Sequence, residues 1–303
     1  MPLRRSSATA GARPSRITSK KTVAIIGTGL IGASIGLAAR ARGYIVIGWD
    51  KQASALRRAK ARGALDRAVR SLRAAVESAQ IVVLAAPLDA VLVQLPDAFR
   101  HARPGALIID VAGVKGKVAA RAAKLLANKP DIAFAAGHPI AGSERSGASA
   151  AAADLLAGRA FALYAPPQKG RTHAYTAAAR FVNRLGAVPV RVSPRDHDEA
   201  VAALSALPQL ASIALALASA DSGARRAPNL AGPGYRDATR LSLSRFAVWK
   251  PGLAANLKHV QTAVRALVKR VKAIERTLRR RDWPGLEKLF LAAARERRRV
   301  NPL

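Results

Sequence analysis

Short apolar runs recur through the first part of the chain, at 22–26 (TVAII), 44–49 (YIVIGW), 81–85 (IVVLA), 106–109 (ALII), 132–135 (IAFA), 160–164 (AFALY) and 187–192 (AVPVRV). They are too short for helices and too uniformly apolar for half-exposed strands, so they read as strands covered on both faces. Ala-rich segments with helical spacing separate most of them, and that alternation predicts an α/β fold with a doubly wound parallel sheet. From Pro194 onward the strand pattern stops. Segments 195–221, about 249–282 and 284–299 read as helices, with Pro251 and Pro284 as first-turn prolines of the last two. The expected organisation is a basic tail over 1–21, a sheet domain over 22–194 and an all-helical domain over 195–303.

The run 200–220 (AVAALSALPQLASIALALASA) is uncharged and long enough to cross a bilayer. It nevertheless carries Pro208, Gln209 and several serines, and Ala outnumbers Leu in it. The expectation is therefore no membrane span but a helix buried all round in a core or a dimer interface.

Half of the 303 residues are apolar, enough for a sizeable core, and there is no cysteine, which excludes disulfides, thiolate metal sites and a cysteine nucleophile. The charge is lopsided, with 51 Lys and Arg against 18 Asp and Glu. Such a surface attracts anions. The excess is spread along the whole chain and aromatic residues are few, so nucleic acid is not the expected partner. Arg4, Arg5, Arg13, Arg16, Lys20 and Lys21 sit among Ser, Ala, Gly and Pro with no acid, which predicts a disordered tail rather than a transit peptide. The basic stretch from Lys258 to Arg299 reads as the solvated face of long amphipathic helices.

Gly27-Thr28-Gly29-Leu30-Ile31-Gly32 follows the first strand and opens a helix, and Asp50 ends the second strand, 18 residues past Gly32. In this order the parts form a dinucleotide-binding signature: a tight turn at Gly27, close approach of a pyrophosphate at Gly29, close packing of helix on strand at Gly32. The pyrophosphate then sits at a helix N-terminus. Asp50 accepts ribose hydroxyls and repels the extra phosphate of NADP, so NAD is the expected cofactor, although Lys51, Arg57 and Arg58 nearby would suit NADP. Ala86 and Pro87, just past the strand at 81–85, complete the cofactor-binding set, and no metal site is expected. Farther on, His138 lies in the glycine-flanked stretch 137–147 (GHPIAGSERSG), read as a loop that sets a candidate base beside the nicotinamide.

Four ordered blocks make the chain resemble the prephenate and arogenate dehydrogenase family of tyrosine biosynthesis: DVAGVKGKV (110–118), GHPIAGSERSG (137–147), SPRDHDEAVAALSALPQ (193–209) and GPGYRDATRLS (232–242). The resemblance runs from about residue 22 to beyond 270. It implies a Rossmann-like domain followed by a helical dimerisation domain, hence a homodimer, and a cytoplasmic enzyme that oxidises and decarboxylates a cyclohexadienol with NAD. By the same resemblance His138 is the base that takes the hydroxyl proton, and Arg240 holds the ring carboxylate. Ser143 and Arg236 line the substrate site, with Arg236 pairing Asp237 or Glu144 at the entrance.

This sequence departs from the family pattern at several places. Gly113 stands where many members carry a serine that holds the reacting hydroxyl. Ser205-Ala206-Leu207-Pro208-Gln209 lacks the two histidines of the usual S-H-L-P-H pattern, leaving Gln209 to hydrogen-bond the substrate side chain. The choice between prephenate, with its keto group, and arogenate, with its amino group, stays open on these residues. His197 and Asp198 match a family pair and are expected to serve a helix start, with Asp198 in the first turn. The other readings are a dehydrogenase of the β-hydroxyacid type and a nucleotide- or nucleic-acid-binding relative that has lost the chemistry.

Overall fold

In the computed structural model, residues 21–141, 145–167 and 173–300 are described. The expected disordered tail lies outside them apart from Lys21. Strands and helices alternate in the order β1 (Thr22–Ile26), α1 (Leu30–Ala41), β2 (Ile45–Trp49), α2 (Ala53–Ala61), β3 (Arg67–Ala68), α3 (Leu72–Val76), β4 (Ile81–Leu84), α4 (Leu88–His101), β5 (Leu107–Asp110) and α5 (Gly116–Asn128). Then come β6 (Ala133–Pro139), β7 (Ala160–Tyr164), α6 (Ala174–Arg184) and β8 (Val188–Arg191). The sheet order is β3-β2-β1-β4-β5-β6-β7-β8.

The expected strands all form, but β8, read as covered on both faces, lies mostly exposed, whereas in the central strands successive residues feed opposite layers. Val23 and Ile25 of β1 join Ile81 and Val83 of β4 under α1 and α6, whereas Ala24 and Ile26 join Val82 and Leu84 in the other layer. A period of two with both faces buried is what makes these runs uniformly apolar. Two features escaped the hydrophobic pattern. The two-residue β3 has both residues exposed, so no apolar run marks it. β7 runs antiparallel to β6, whereas the other pairings are parallel. A parallel return needs a crossover, usually through a helix. Between β6 and β7 only a short 3-10 turn is assigned among the described residues, at Ala148–Ala150.

Beyond β8 the described residues hold helices and turns: α7 (Pro194–Val201), α8 (Leu207–Asp221), α9 (Pro233–Thr239), α10 (Phe246–Ala255), α11 (Leu257–Arg279) and α12 (Trp283–Val300). The helix expected over 195–221 forms as one continuous run, Pro194–Asp221, carrying a π turn at Ala202–Ala206 between α7 and α8, and the short α9 was not foreseen. Pro284 opens α12 as expected. Pro251 does not open a helix: α10 begins at Phe246 and carries this proline in its interior, without the N–H that would bond four residues back. The long apolar α7–α8 segment is not buried all round within one chain, since Ile213, Leu215 and Leu217 of α8 are exposed. Among the described residues of the helical part, Ala202, Ala206 and Val260 form the buried apolar cluster.

Candidate active site

β1 delivers the chain to a tight turn at the end of the sheet. Gly27 adopts φ +95°, and a Cβ on it would stand 2.7 Å from the backbone of Ala85 and Ala86. One turn into α1, a Cβ on Gly32 would meet the Gly27 carbonyl oxygen at 2.0 Å. Gly29 differs, because nothing lies within 4 Å of where its Cβ would be. It is the N-cap of α1, with no side-chain cap and no acidic residue in the first turn, so no side chain competes for the N–H groups around Leu30 and Ile31. That is a cradle for an anion.

Asp50, just past β2, closes the turn from the side. Its Oδ2 accepts hydrogen bonds from the Thr28 N–H (2.7 Å) and hydroxyl (3.1 Å), and its Oδ1 accepts the Gln52 N–H (2.8 Å). Lone pairs remain on both oxygens for sugar hydroxyls. Ala86 and Pro87 link β4 to α4, with Pro87 as N-cap of that helix. The expected cofactor residues therefore converge where β1, β2 and β4 end, the crevice in which doubly wound sheets bind ligands.

His138 lies in strand β6 rather than on a loop, paired with Ala162 of β7. The antiparallel β7 recruits residues that a glycine- and proline-rich stretch would otherwise leave irregular. The ring is half-buried. Its Nδ1 stands 2.9 Å from His197 Nε2, with ring centroids 5.1 Å apart and planes at 69°. Behind it, His197 Nδ1 is 2.8 Å from Asp198 Oδ1. The opposite edge faces position 113, where a Cβ on Gly113 would be 3.8 Å from His138 Nε2. Burial lowers the His138 pKa from 6.5 to about 3, aided by the Lys115 ammonium and His197 and opposed by Asp198. The imidazole is neutral at ordinary pH.

Asp198 is not in the first turn of α7, where Ser193 caps the helix and Asp196 supplies the acid. It caps a different helix. Its Oδ1 and Oδ2 accept the N–H groups of Lys115 (2.7 Å) and Gly116 (2.8 Å) at the start of α5, and its own carbonyl accepts Asn256 Nδ2 (2.6 Å). Burial raises the Asp198 carboxyl, but the hydrogen bonds from His197, Lys115 and Gly116 outweigh it and hold the pKa below the usual carboxylate value. Lys115, fully buried, donates to Asp110 and to the Gly137 carbonyl (2.5 Å), while Asp110 accepts the Ala112 (3.0 Å) and Gly137 (3.2 Å) N–H groups. Burial raises the Asp110 pKa and lowers that of Lys115, and the contact between the two charges works against both shifts. The peptide on either side of Gly137 is thus held at both its N–H and its carbonyl, which fixes the backbone that carries His138.

The helical segment supplies the remaining residues. Gln209 of α8 is buried; its Nε2 donates to the Leu241 carbonyl (2.8 Å), while its Oε1 has no partner among the described residues. Gln209 is thereby tied to the turn Arg240–Leu243, whose Arg240 is exposed. The Arg236 guanidinium donates to the Ala231 carbonyl (2.9 and 3.2 Å), and no pairing with Asp237 is seen among the described residues. Ser143 and Glu144 lie outside the described residues. No group of three or more potential metal-ligating side chains occurs among the described residues. Lys115 and the His197–Asp198 pair had no expected place at the site; the His-Asp dipeptide in a family-like block was the available signal.

Comparison with known proteins gives matches along nearly the whole chain. A family profile described as "Prephenate dehydrogenase, nucleotide-binding domain" matches residues 35–191, and one described as "Prephenate dehydrogenase, dimerization domain" matches residues 193–292. The chain is similar to the probable prephenate dehydrogenase NovF of Streptomyces niveus, 36% identical over 265 residues, which cover 86% of this chain and 69% of that protein. Among solved structures it resembles Synechocystis arogenate dehydrogenase (TM-score 0.80, 27% identity, 92% of this chain and 99% of that one). Its fold is also like that of A. aeolicus prephenate dehydrogenase in complex with hydroxyphenyl propionate and NAD+ (TM-score 0.81, 22% identity, 94% of this chain and 100% of that one).

Proposed function

The chain belongs to the prephenate dehydrogenase family and is a dehydrogenase, and on that premise we propose that it oxidises and decarboxylates prephenate to 4-hydroxyphenylpyruvate with NAD. The observation that carries this reading is the placement of His138, whose Nδ1 is held from behind by His197 and whose Nε2 faces the space beside Gly113. Support for NAD comes from the open cradle at Gly29, the uncapped start of α1 and the Asp50 carboxylate, which disfavours the phosphate of NADP. The bound dinucleotide supplies the hydride acceptor.

His138 Nε2 takes the hydroxyl proton as the carbon bearing that hydroxyl gives up its hydride. The ring carboxylate departs as carbon dioxide, its bond pair enters the ring, and the phenolate that results takes the proton back, so no proton is gained or lost. Arg240 binds the ring carboxylate through two parallel hydrogen bonds. Ser143 and Arg236 complete the proposed substrate-binding set. Gln209 meets the substrate side chain, and here a second reading has its own support. A buried Oε1 without a partner suits a donor, which the amino group of arogenate provides and the keto group of prephenate does not.

The division between the sheet and helical domains is set at residues 194–195, supported by the end of β8 at Arg191 and the start of α7 at Pro194. The working unit is a cytoplasmic homodimer built through the helical domain, supported by the exposed apolar faces of α8, α11 and α12. The test is NADH formation when the protein is mixed with NAD and prephenate, with arogenate and NADP in parallel. Turnover with prephenate and NAD is the expected result; turnover with arogenate alone favours the second reading, and none with either substrate overturns both.

A further inference from the structure

Asp198, His197 and His138 form a line of three side chains drawn from two parts of the fold. α7, the first helix of the helical segment, supplies Asp198 and His197, and β6 of the sheet supplies His138. We propose that Asp198 and His197 are positioning residues that fix the tautomer of His138, leaving its Nε2 as the bare acceptor that faces the substrate. The inference rests on His138 being the base of the proposed reaction.

The argument is one of donors and acceptors. Asp198 already receives two backbone N–H groups at the start of α5, an arrangement that suits an ionised carboxylate with nothing to donate. His197 Nδ1, 2.8 Å away, must then be the donor. A neutral imidazole with Nδ1–H has a lone pair on Nε2, and the contact of that atom with His138 Nδ1 at 2.9 Å requires His138 to donate. The only nitrogen of His138 left without a proton is Nε2, the atom beside Gly113. When Nε2 takes a proton, the new positive charge keeps its Nδ1–H bond to His197 and is steadied through that ring by the Asp198 carboxylate. Both partners of this line are nearly inaccessible to solvent, His197 at 3% and Asp198 at 6% exposure, so water does not replace their bonds. A helper serine is absent at Gly113, so the orientation of the base depends on this rear support.

The first measurement is on the unaltered protein: with ring-15N histidine, the His138 signals should report Nδ1–H and an unprotonated Nε2. A His138 protonated on Nε2, as a doubly protonated His197 would impose, overturns the proposal. Replacement provides the second arm. His197→Leu removes the acceptor and should lower kcat about a hundredfold, the low end of what general-base catalysis supplies, with the affinity for NAD within about twofold. It should also release the His138 tautomer. His197→Gln places an amide oxygen near the lost Nε2 and should restore part of kcat. A folded His197→Leu protein with unchanged kcat and an unchanged His138 tautomer overturns the proposal. Absence of turnover in the unaltered protein with Nε2 bare overturns the prephenate reading instead, so the two failures are told apart.

Discussion

The two halves of the molecule bury themselves in different ways. In the sheet half, alternate residues of β1, β4 and β5 fill two separate apolar layers, and Val93, Ile140, Val188 and Val190 are the large apolar side chains left exposed among the described residues. The helical half buries Ala202, Ala206 and Val260 and leaves Leu215, Leu217, Phe246, Val248, Val271, Trp283 and Phe290 exposed, among others. A strand covered by helices on both faces completes its core within one chain, whereas long amphipathic helices with few neighbours need another surface. The cofactor turn and the candidate base accordingly stand on the self-sufficient half. The helical half reaches them through buried polar links, chiefly Asp198 on the start of α5.

Disabling the sheet half at its candidate base should have the largest effect. His138→Asn should reduce turnover by about 10²–10⁴, the range general-base catalysis contributes, while calorimetry shows NAD binding unchanged. Undiminished turnover removes the histidine from the mechanism. The same variant should alter acid stability. The folded chain holds His138 neutral down to about pH 3, whereas the unfolded imidazole takes up a proton near 6.5. This group's contribution is therefore complete above about 6.5 and lost as pH falls towards 3. Acid unfolding of the Asn variant, followed by circular dichroism, should lack that component.

A smaller loss is expected from the helical half. Arg240→Ala should raise the Michaelis constant for prephenate about tenfold or more, as expected from losing hydrogen bonds to a charged group worth about 1.5–3 kcal/mol, with the same change at Arg245 as control. Equal effects at the two positions would end the carboxylate role of Arg240. The smallest effect tests the contrast itself. Leu217→Glu, on the exposed face of α8, should weaken the dimer about tenfold, on the order of the 1.5–3 kcal/mol for burying a leucine side chain. Sedimentation at falling concentration should then show monomer, and an unshifted dimer would move the interface off α8.

Much of this was legible along the chain. The buried strands betrayed themselves because burial on two faces leaves no room for polar residues, Gly27 and Gly32 because the tight turn tolerates no Cβ, and Asp50 because it is an acid that ends the second strand. His138 stood out by chemistry, but its placement was misjudged, since pairing with Ala162 depends on a strand that returns antiparallel. Asp198 was expected at the start of its own helix and instead caps α5, whose first N–H groups lie 82 and 83 positions earlier in the chain. Arg236 bonds the Ala231 carbonyl, a local contact that residue types alone do not specify.

The sequence by itself determined the alternation of strand and helix, the dinucleotide turn and the change to helices after residue 194. These follow from burial and backbone sterics, which act on near neighbours and so leave a periodic trace. Only the tertiary structure decided that His138 ends a strand, that His197 stands behind it and that Asp198 binds the helical half to α5. Those are single hydrogen bonds between residues tens of positions apart. Their direction is set by how two packed layers meet, and no local pattern records it.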